Sequence, residues 1–193
     1  MRSTNRQRSA FTMSNLWSNE RVRLRTMEET DVHLFTNQNG DYDTALMKRY
    51  DVVEFPLSAA QLSARTAEFF KTRKNDDYLF VIETPDRIPA GVLTVFDTDP
   101  RMGTFKYGLF VKEEFRGMGL AKEAAHLALS YYFRELRYHK CNVYIYEFNA
   151  PSLGFHEKLG FVKEGQLRDM VYTDGRYYDT VYMGITAEEW NTK

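Results

Sequence analysis

A mixed α/β sheet of about seven strands with helices on both faces is the fold class this sequence predicts, and three observations predict it. Stretches with a two-residue hydrophobic period alternate with stretches of helical period along most of the chain. The 193 residues, 43% hydrophobic and 15% aromatic, can bury one full core and call for no second domain. One strand-like stretch runs through a short turn, Arg116-Gly117-Met118-Gly119, straight into a long helical pattern.

Residues 1–19 carry Arg2, Arg6 and Arg8, no acid and no helical period. Transit peptides share that composition, but the segment reads as a flexible extension ahead of a domain over 20–193, with Met13 an alternative start. Val22 to Leu24 is a short first strand, and Glu28 to about Thr36 a helix capped by Thr26. Asn37 to Leu57 has no clean period and holds Tyr42, Tyr50, Phe55 and Pro56. Ser58 caps a helix reaching about Lys71, and Tyr78–Glu83 and Gly91–Phe96 flank a turn at Thr84–Arg87 as a hairpin.

Phe105, Tyr107, Leu109 and Val111 alternate with Lys106, Gly108 and Phe110 in a central strand. From Ala121, the residues Ala124, Ala125, Ala128, Tyr131 and Tyr132 form one helical stripe, small enough near its start to lie close against a sheet. Asn142–Tyr146 is the next strand, and a short capped helix from Asn149 stops at Gly160. Two last β segments follow, Phe161–Gln166 extending towards Tyr172, and Tyr177–Ile185.

The turn from Arg116 to Ala121 has the makings of a pyrophosphate site. Its glycines let the backbone approach an anion closely, and the unpaired amides of a helix start point at it with the positive end of the dipole. The spacing satisfied by Arg116, Gly119 and Ala121 arises by chance in roughly one chain in five of this size, so a second segment must carry the argument. That segment is Asn149 to Phe161, with Ser152 three residues after the asparagine and Glu157-Lys158-Leu159-Gly160-Phe161 at its close.

Together the two segments resemble the GNAT superfamily of N-acetyltransferases. The late run Gly160–Gln166, followed by Asp174-Gly175-Arg176-Tyr177-Tyr178-Asp179, is similar to its RimJ/RimL-like branch, which acetylates protein N-termini, amino sugars and other small amines. The resemblance implies a single GNAT-like domain that uses acetyl-CoA. It implies that the central strand and the Asn142–Tyr146 strand splay apart around the pantetheine arm. Leu109, Phe110 and Val111 would give backbone groups to that arm, and Arg116, Gly117, Met118, Gly119, Leu120 and Ala121 would give amides to the pyrophosphate. Asn149 and Ser152 would lie beside the pantetheine and thioester, with the irregular stretch 37–57 over the acceptor. His156 stands where many relatives carry a tyrosine that protonates the leaving thiolate.

Attack on a thioester needs a neutral amine. A lysine-like ammonium with pKa about 10.4 must first lose a proton, whereas an α-amino group near 7.7–8.0 asks far less. The central strand holds no acid where some relatives carry a base, and Glu147 is the nearest candidate in sequence. Histidine titrates near neutral pH, so His156 is a chemically possible acid.

Composition excludes other classes. The net charge of −1 becomes −4 once the three leader arginines are set aside, which argues against nucleic acid. There is no apolar run of membrane-spanning length, so the expectation is a cytoplasmic protein without a membrane partner. The single cysteine, Cys141, falls in a strand as a small hydrophobe, and the four histidines show no metal-ligand spacing, so no metal is expected. A homodimer is compatible with edge strands and many aromatics. The rival readings are a catalytically silent acyl-CoA-binding module and a nucleotide-binding domain, the latter lacking the Lys-Ser/Thr ending of a P-loop.

Overall fold

The computed structural model describes residues 15–192. Seven strands, β1 (Arg23–Thr26), β2 (Tyr78–Glu83), β3 (Pro89–Asp99), β4 (Thr104–Val111), β5 (Lys140–Tyr146), β6 (Val162–Thr173) and β7 (Arg176–Thr186), form one sheet. Their order is β1-β2-β3-β4-β5-β7-β6, and every neighbouring pair is antiparallel except β4 with β5. Five helices accompany it: α1 (Thr44–Arg49), α2 (Ala59–Thr72), α3 (Leu120–Ser130), α4 (Ala150–Leu159) and α5 (Ala187–Asn191).

Strand periodicity sorts the core onto two faces. On β2, Leu79 and Val81 pack with Leu34, Leu46, Met47 and Leu62 from the α1–α2 side, while Phe80 and Ile82 face the other way, into the cluster built on α3. The predicted α3 stripe is that packing face: Ala124, Ala125, Ala128 and Tyr132 are buried, and Phe105 of β4 stacks on Tyr132 with ring centres 4.9 Å apart. Leu159 of α4 and Trp190 of α5 close the same cluster. Cys141 is buried in it, and burial pushes its thiol up, away from nucleophilic use.

Several expected elements take a different form. Glu29–Phe35 is a 3-10 turn rather than an α-helix, and Thr26 does not cap it: the Asp31 carboxylate accepts from the Glu28 N–H at 2.8 Å while two nitrogens of Arg25 grip it at 2.6 and 2.8 Å. That inward-turned carboxylate tightens the turn. Inside the irregular stretch lies α1, capped by the Asp43 side chain on the Leu46 N–H; six residues are too few to show a period. Beyond α3 the chain makes a π-helical turn, Tyr131–Glu135.

Residues 1–14 of the expected extension lie outside the described residues, Met13 among them. Within 15–19 it is Trp17 that packs: its ring lies 4.8 Å from Phe80 and 4.3 Å from Tyr131, and its carbonyl accepts from the Leu24 N–H. No helix among the described residues is long and apolar enough to cross a membrane.

Candidate active site

The parallel seam between β4 and β5 is three residue pairs long, Thr104 with Lys140, Phe105 with Cys141 and Lys106 with Asn142. Beyond it each strand stays laddered to its antiparallel partner, β4 to β3 as far as Val111 and β5 to β7 as far as Tyr146. The two partnerships diverge and the seam unzips. A cavity of about 700 Å³ opens there, walled by β4, β5, the start of α3, α4 and the stretch around α1.

The open edge of β4 carries polar backbone. The Tyr50 hydroxyl donates to the Val111 carbonyl at 2.8 Å and accepts from its N–H at 3.2 Å, and Arg116 Nε donates to the same carbonyl at 3.4 Å, so both groups of Val111 point away from β3. Alternation sends those of Leu109 the same way and turns Phe110 towards β3, in agreement with the ladder bond from the Lys112 N–H to the Ala90 carbonyl at 2.9 Å. The three strand residues picked from the sequence therefore divide. Leu109 and Val111 turn backbone groups to the open edge, whereas the Phe110 backbone is laddered to β3 and its ring, part of the core on the α1–α2 side, also lines the cavity.

Between β4 and α3 the chain makes a 3-10 turn, Glu113–Phe115, and then uses two left-handed glycines, Gly117 at φ 78° and Gly119 at φ 80°. Gly119 is the N-cap of α3 and brings no side chain to its first amides. Arg116, Gly117 and Ala121 line the cavity; Met118 is exposed, and the Leu120 side chain is buried in the core, leaving its amide alone for any ligand. A Cβ on Gly119 would stand 3.2 Å from the Arg21 guanidinium, a second cation beside the loop that sequence reading passed over.

Asn149 is committed to the protein. Its Oδ1 accepts from the Ser152 N–H at 3.2 Å as the cap of α4, and its Nδ2 donates to the Arg49 carbonyl at 2.7 Å and to Asp51 Oδ2 at 3.1 Å. It ties the end of α1 to the start of α4 and shapes the wall. His156 is buried against Tyr107, Phe155 and Phe161, and its Nδ1–H donates to the Ser152 carbonyl at 2.8 Å. Burial lowers its pKa to about 4, the carbonyl opposing only in part. At pH 7 roughly one ring in a thousand is then an imidazolium. The neutral ring has its one N–H already bonded, which runs against the proton-donating role expected of it.

Glu147 is not brought to the cavity. It is exposed past the end of β5, where its own N–H bonds to the Asp179 carbonyl on the β7 side. Two other acids line the cavity instead, both from the stretch without a period. The Glu54 carboxylate is held by two bonds from Arg65, at 2.8 and 3.0 Å, and one from the Tyr42 hydroxyl, with Arg65 chiefly responsible for keeping it below the usual carboxylate range. Asp51 follows α1 in a left-handed conformation, φ 64°, and accepts from the Tyr146 N–H and from Asn149, each at 3.1 Å. Burial raises its pKa to about 6, against the lowering effect of those two bonds.

On the floor, beside His156, the Tyr107 hydroxyl is the one fully buried side-chain polar atom among the described residues without a partner. Leaving it unpaired costs about 1–3 kcal/mol, which a polar atom entering the slot would relieve. Among the described residues, no cluster of three or more His, Cys, Asp or Glu is placed to hold a metal.

Comparison with known proteins agrees with this architecture. Residues 21–162 match the family described as Acetyltransferase (GNAT) domain. The SPbeta prophage-derived uncharacterized N-acetyltransferase YokL of Bacillus subtilis is 38% identical over 174 residues, covering 90% of this chain and 94% of the relative. The putative ribosomal N-acetyltransferase YdaF of the same organism is 28% identical over 101 residues, 52% of this chain and 55% of the relative. Among solved structures, spermidine N-acetyltransferase from Vibrio cholerae in complex with CoA and spermine has a TM-score of 0.79 at 24% identity, covering 90% of this chain and 99% of that one, a likeness of fold. With three-quarters of its length inside the family match and a relative this similar along nearly all of it, the chain belongs to the GNAT acetyltransferases and is an N-acetyltransferase.

Proposed function

We propose that this enzyme moves an acetyl group from acetyl-CoA directly to a small primary amine, with both substrates bound together and no covalent enzyme intermediate. The observation that carries the reading is the continuity of one cavity, from the Arg116–Ala121 loop, between β4 and β5, to the acids Asp51 and Glu54. The chain's one thiol is buried and raised in pKa, which supports transfer without an acyl-enzyme.

The open β4 edge, the uncapped α3 start and the orphaned Tyr107 hydroxyl fit the cofactor. When bound, acetyl-CoA supplies the acetyl thioester. We assign the pyrophosphate to the amides from Gly117 to Ala121 with Arg116 and Arg21 beside them, and the pantetheine to the backbone of Leu109 and Val111. Ser152 and Asn149 form the facing wall. Phe110 and Glu147 have no part in this assignment, and His156 is given a positional role, filling the wall as a neutral ring. The relatives include proteins named for ribosomal and for spermidine substrates, so they do not single out the RimJ/RimL-like branch.

The direct test is thiol release from acetyl-CoA across a panel of primary amines, with thermal unfolding alongside. Acetyl-CoA at a hundred times its Kd should add about 2.7 kcal/mol of stability, and ATP none. No shift with millimolar acetyl-CoA would remove the cofactor assignment.

Tyr50 occupies the Val111 groups that the pantetheine is assigned. Tyr50→Phe should therefore tighten acetyl-CoA binding by up to about tenfold, the worth of a hydrogen bond or two no longer competed for, as calorimetry can measure. Weaker binding would show that the tyrosine helps to hold the cofactor.

For His156→Phe the expectation is turnover at saturating substrates within about threefold of wild type between pH 6 and 8, since a neutral ring with a committed N–H gives no acid catalysis. A loss of 10²-fold or more, the ordinary range for a general acid, would return the proton-donating role to His156.

A further inference from the structure

The charged side chains lining the cavity, apart from Arg116 of the loop, are the cations Arg49, Arg65 and Lys106 and the acids Asp51 and Glu54. Arg65 takes both oxygens of Glu54, and Lys106 pairs with Asp97 at 3.0 Å while lying 5.3 Å from the centre of the Tyr144 ring. Asp51 is thereby the one carboxylate lining the cavity that is in no ion pair with a described residue. The walls between are aromatic, from Phe35, Tyr50, Phe96, Phe110 and Tyr144.

We propose that the acceptor is a small amine with a single ammonium on an apolar, aryl-bearing body, that the ammonium docks at Asp51, and that Asp51 takes its proton. This rests on the transferase reading above and narrows its substrate. A polyamine, carrying several ammonium groups, would set its further charges against Arg49, Arg65 and Lys106 with no second free carboxylate to meet them.

Asp51 is built for the task. The Val52 N–H bonds back to the Met47 carbonyl at 3.0 Å, the closing turn of α1, and Asp51 occupies the left-handed position where glycine is usual. Its carboxylate does what glycine cannot, reaching the Tyr146 N–H and Asn149. Asp51 thus sits between the open edge of β5, through the Tyr146 N–H, and that of β4, where the hydroxyl of its neighbour Tyr50 meets Val111.

Of the titratable groups that share the cavity with Asp51, Arg49 and Tyr50 are beside it in the chain, Lys106, Arg116 and His156 come from other elements, and Glu54 is paired with Arg65, while Tyr146 on β5 meets it through its backbone N–H. None of their side chains bonds its carboxylate. With its pKa raised to about 6 by burial, the group is ionised at pH 7 yet basic enough to accept a proton. The ammonium gives one proton to Asp51. The freed nitrogen lone pair forms the N–C bond to the acetyl carbon, the C–S bond breaks with its electron pair on sulfur, and the second proton lost from nitrogen ends on the thiolate. Asp51 returns its proton to solvent.

The test compares kcat/KM for phenethylamine, spermidine and a short peptide with a free N-terminus, in wild type and in Asp51→Asn, a residue that keeps the left-handed turn and one acceptor oxygen. Phenethylamine should exceed spermidine and the peptide by at least about tenfold. Its pH profile should fall below an apparent pKa near 6, the side on which Asp51 is protonated. Asp51→Asn should lose about 10²-fold in kcat/KM and the acidic limb, with acetyl-CoA affinity and thermal midpoint retained. Preference for spermidine or the peptide, or an Asp51→Asn enzyme within threefold of wild type or with its acidic limb intact, overturns this inference alone. A wild-type chain that does not bind acetyl-CoA overturns it together with the transferase reading.

Discussion

The rest of the site depends on how briefly β4 and β5 hold each other. Three residue pairs join them, and after that each strand obeys its antiparallel neighbour. Backbone groups that a continuous sheet would saturate are left facing a cavity, and their number is set by the length of β4 beyond Lys106. The same divergence makes room for α4 to present Ser152 and His156 at one wall and for the α3 start to stand at the mouth. A longer seam would restore the ladder and remove the slot.

A second constraint fixes the far wall. Asn149 caps α4 with its carbonyl oxygen and, with its amide nitrogen, reaches the Arg49 carbonyl and Asp51. One side chain thereby couples the helix that begins after β5 to the helix that ends before Asp51, elements about a hundred residues apart in the chain. The positions of the acceptor-side acids are set by the same cap that starts α4. A raised carboxylate pKa is the energetic cost of holding Asp51 there, since the ionised form is disfavoured by burial.

Much of this was legible from the sequence, for stated physical reasons. Alternation at Phe105–Val111 and the small-residue stripe from Ala124 are periodic signals that packing preserves, and the glycines at 117 and 119 take the left-handed conformations that make them informative. The acids were not legible. Asp51 and Glu54 lie where no period exists, and Asp51 becomes recognisable only once α1, six residues long, is known to end at Arg49 with Tyr50 as its C-cap. Glu147 was chosen for nearness along the chain, but past Tyr146 the backbone follows β7 and leaves the cavity. His156 lines the cavity, and burial, which sequence does not display, lowers its pKa and runs against the proton-donating role expected of it.

The central claim is that the unzipped β4 edge receives the cofactor, and residue-resolved amide hydrogen exchange with and without coenzyme A tests it most directly. The account predicts added protection at Leu109 and Val111 and at the amides from Gly119 to Ala121, with Phe110, already laddered to β3, unchanged. Protection appearing elsewhere, with the Leu109 and Val111 amides exchanging as in the free protein, would contradict it.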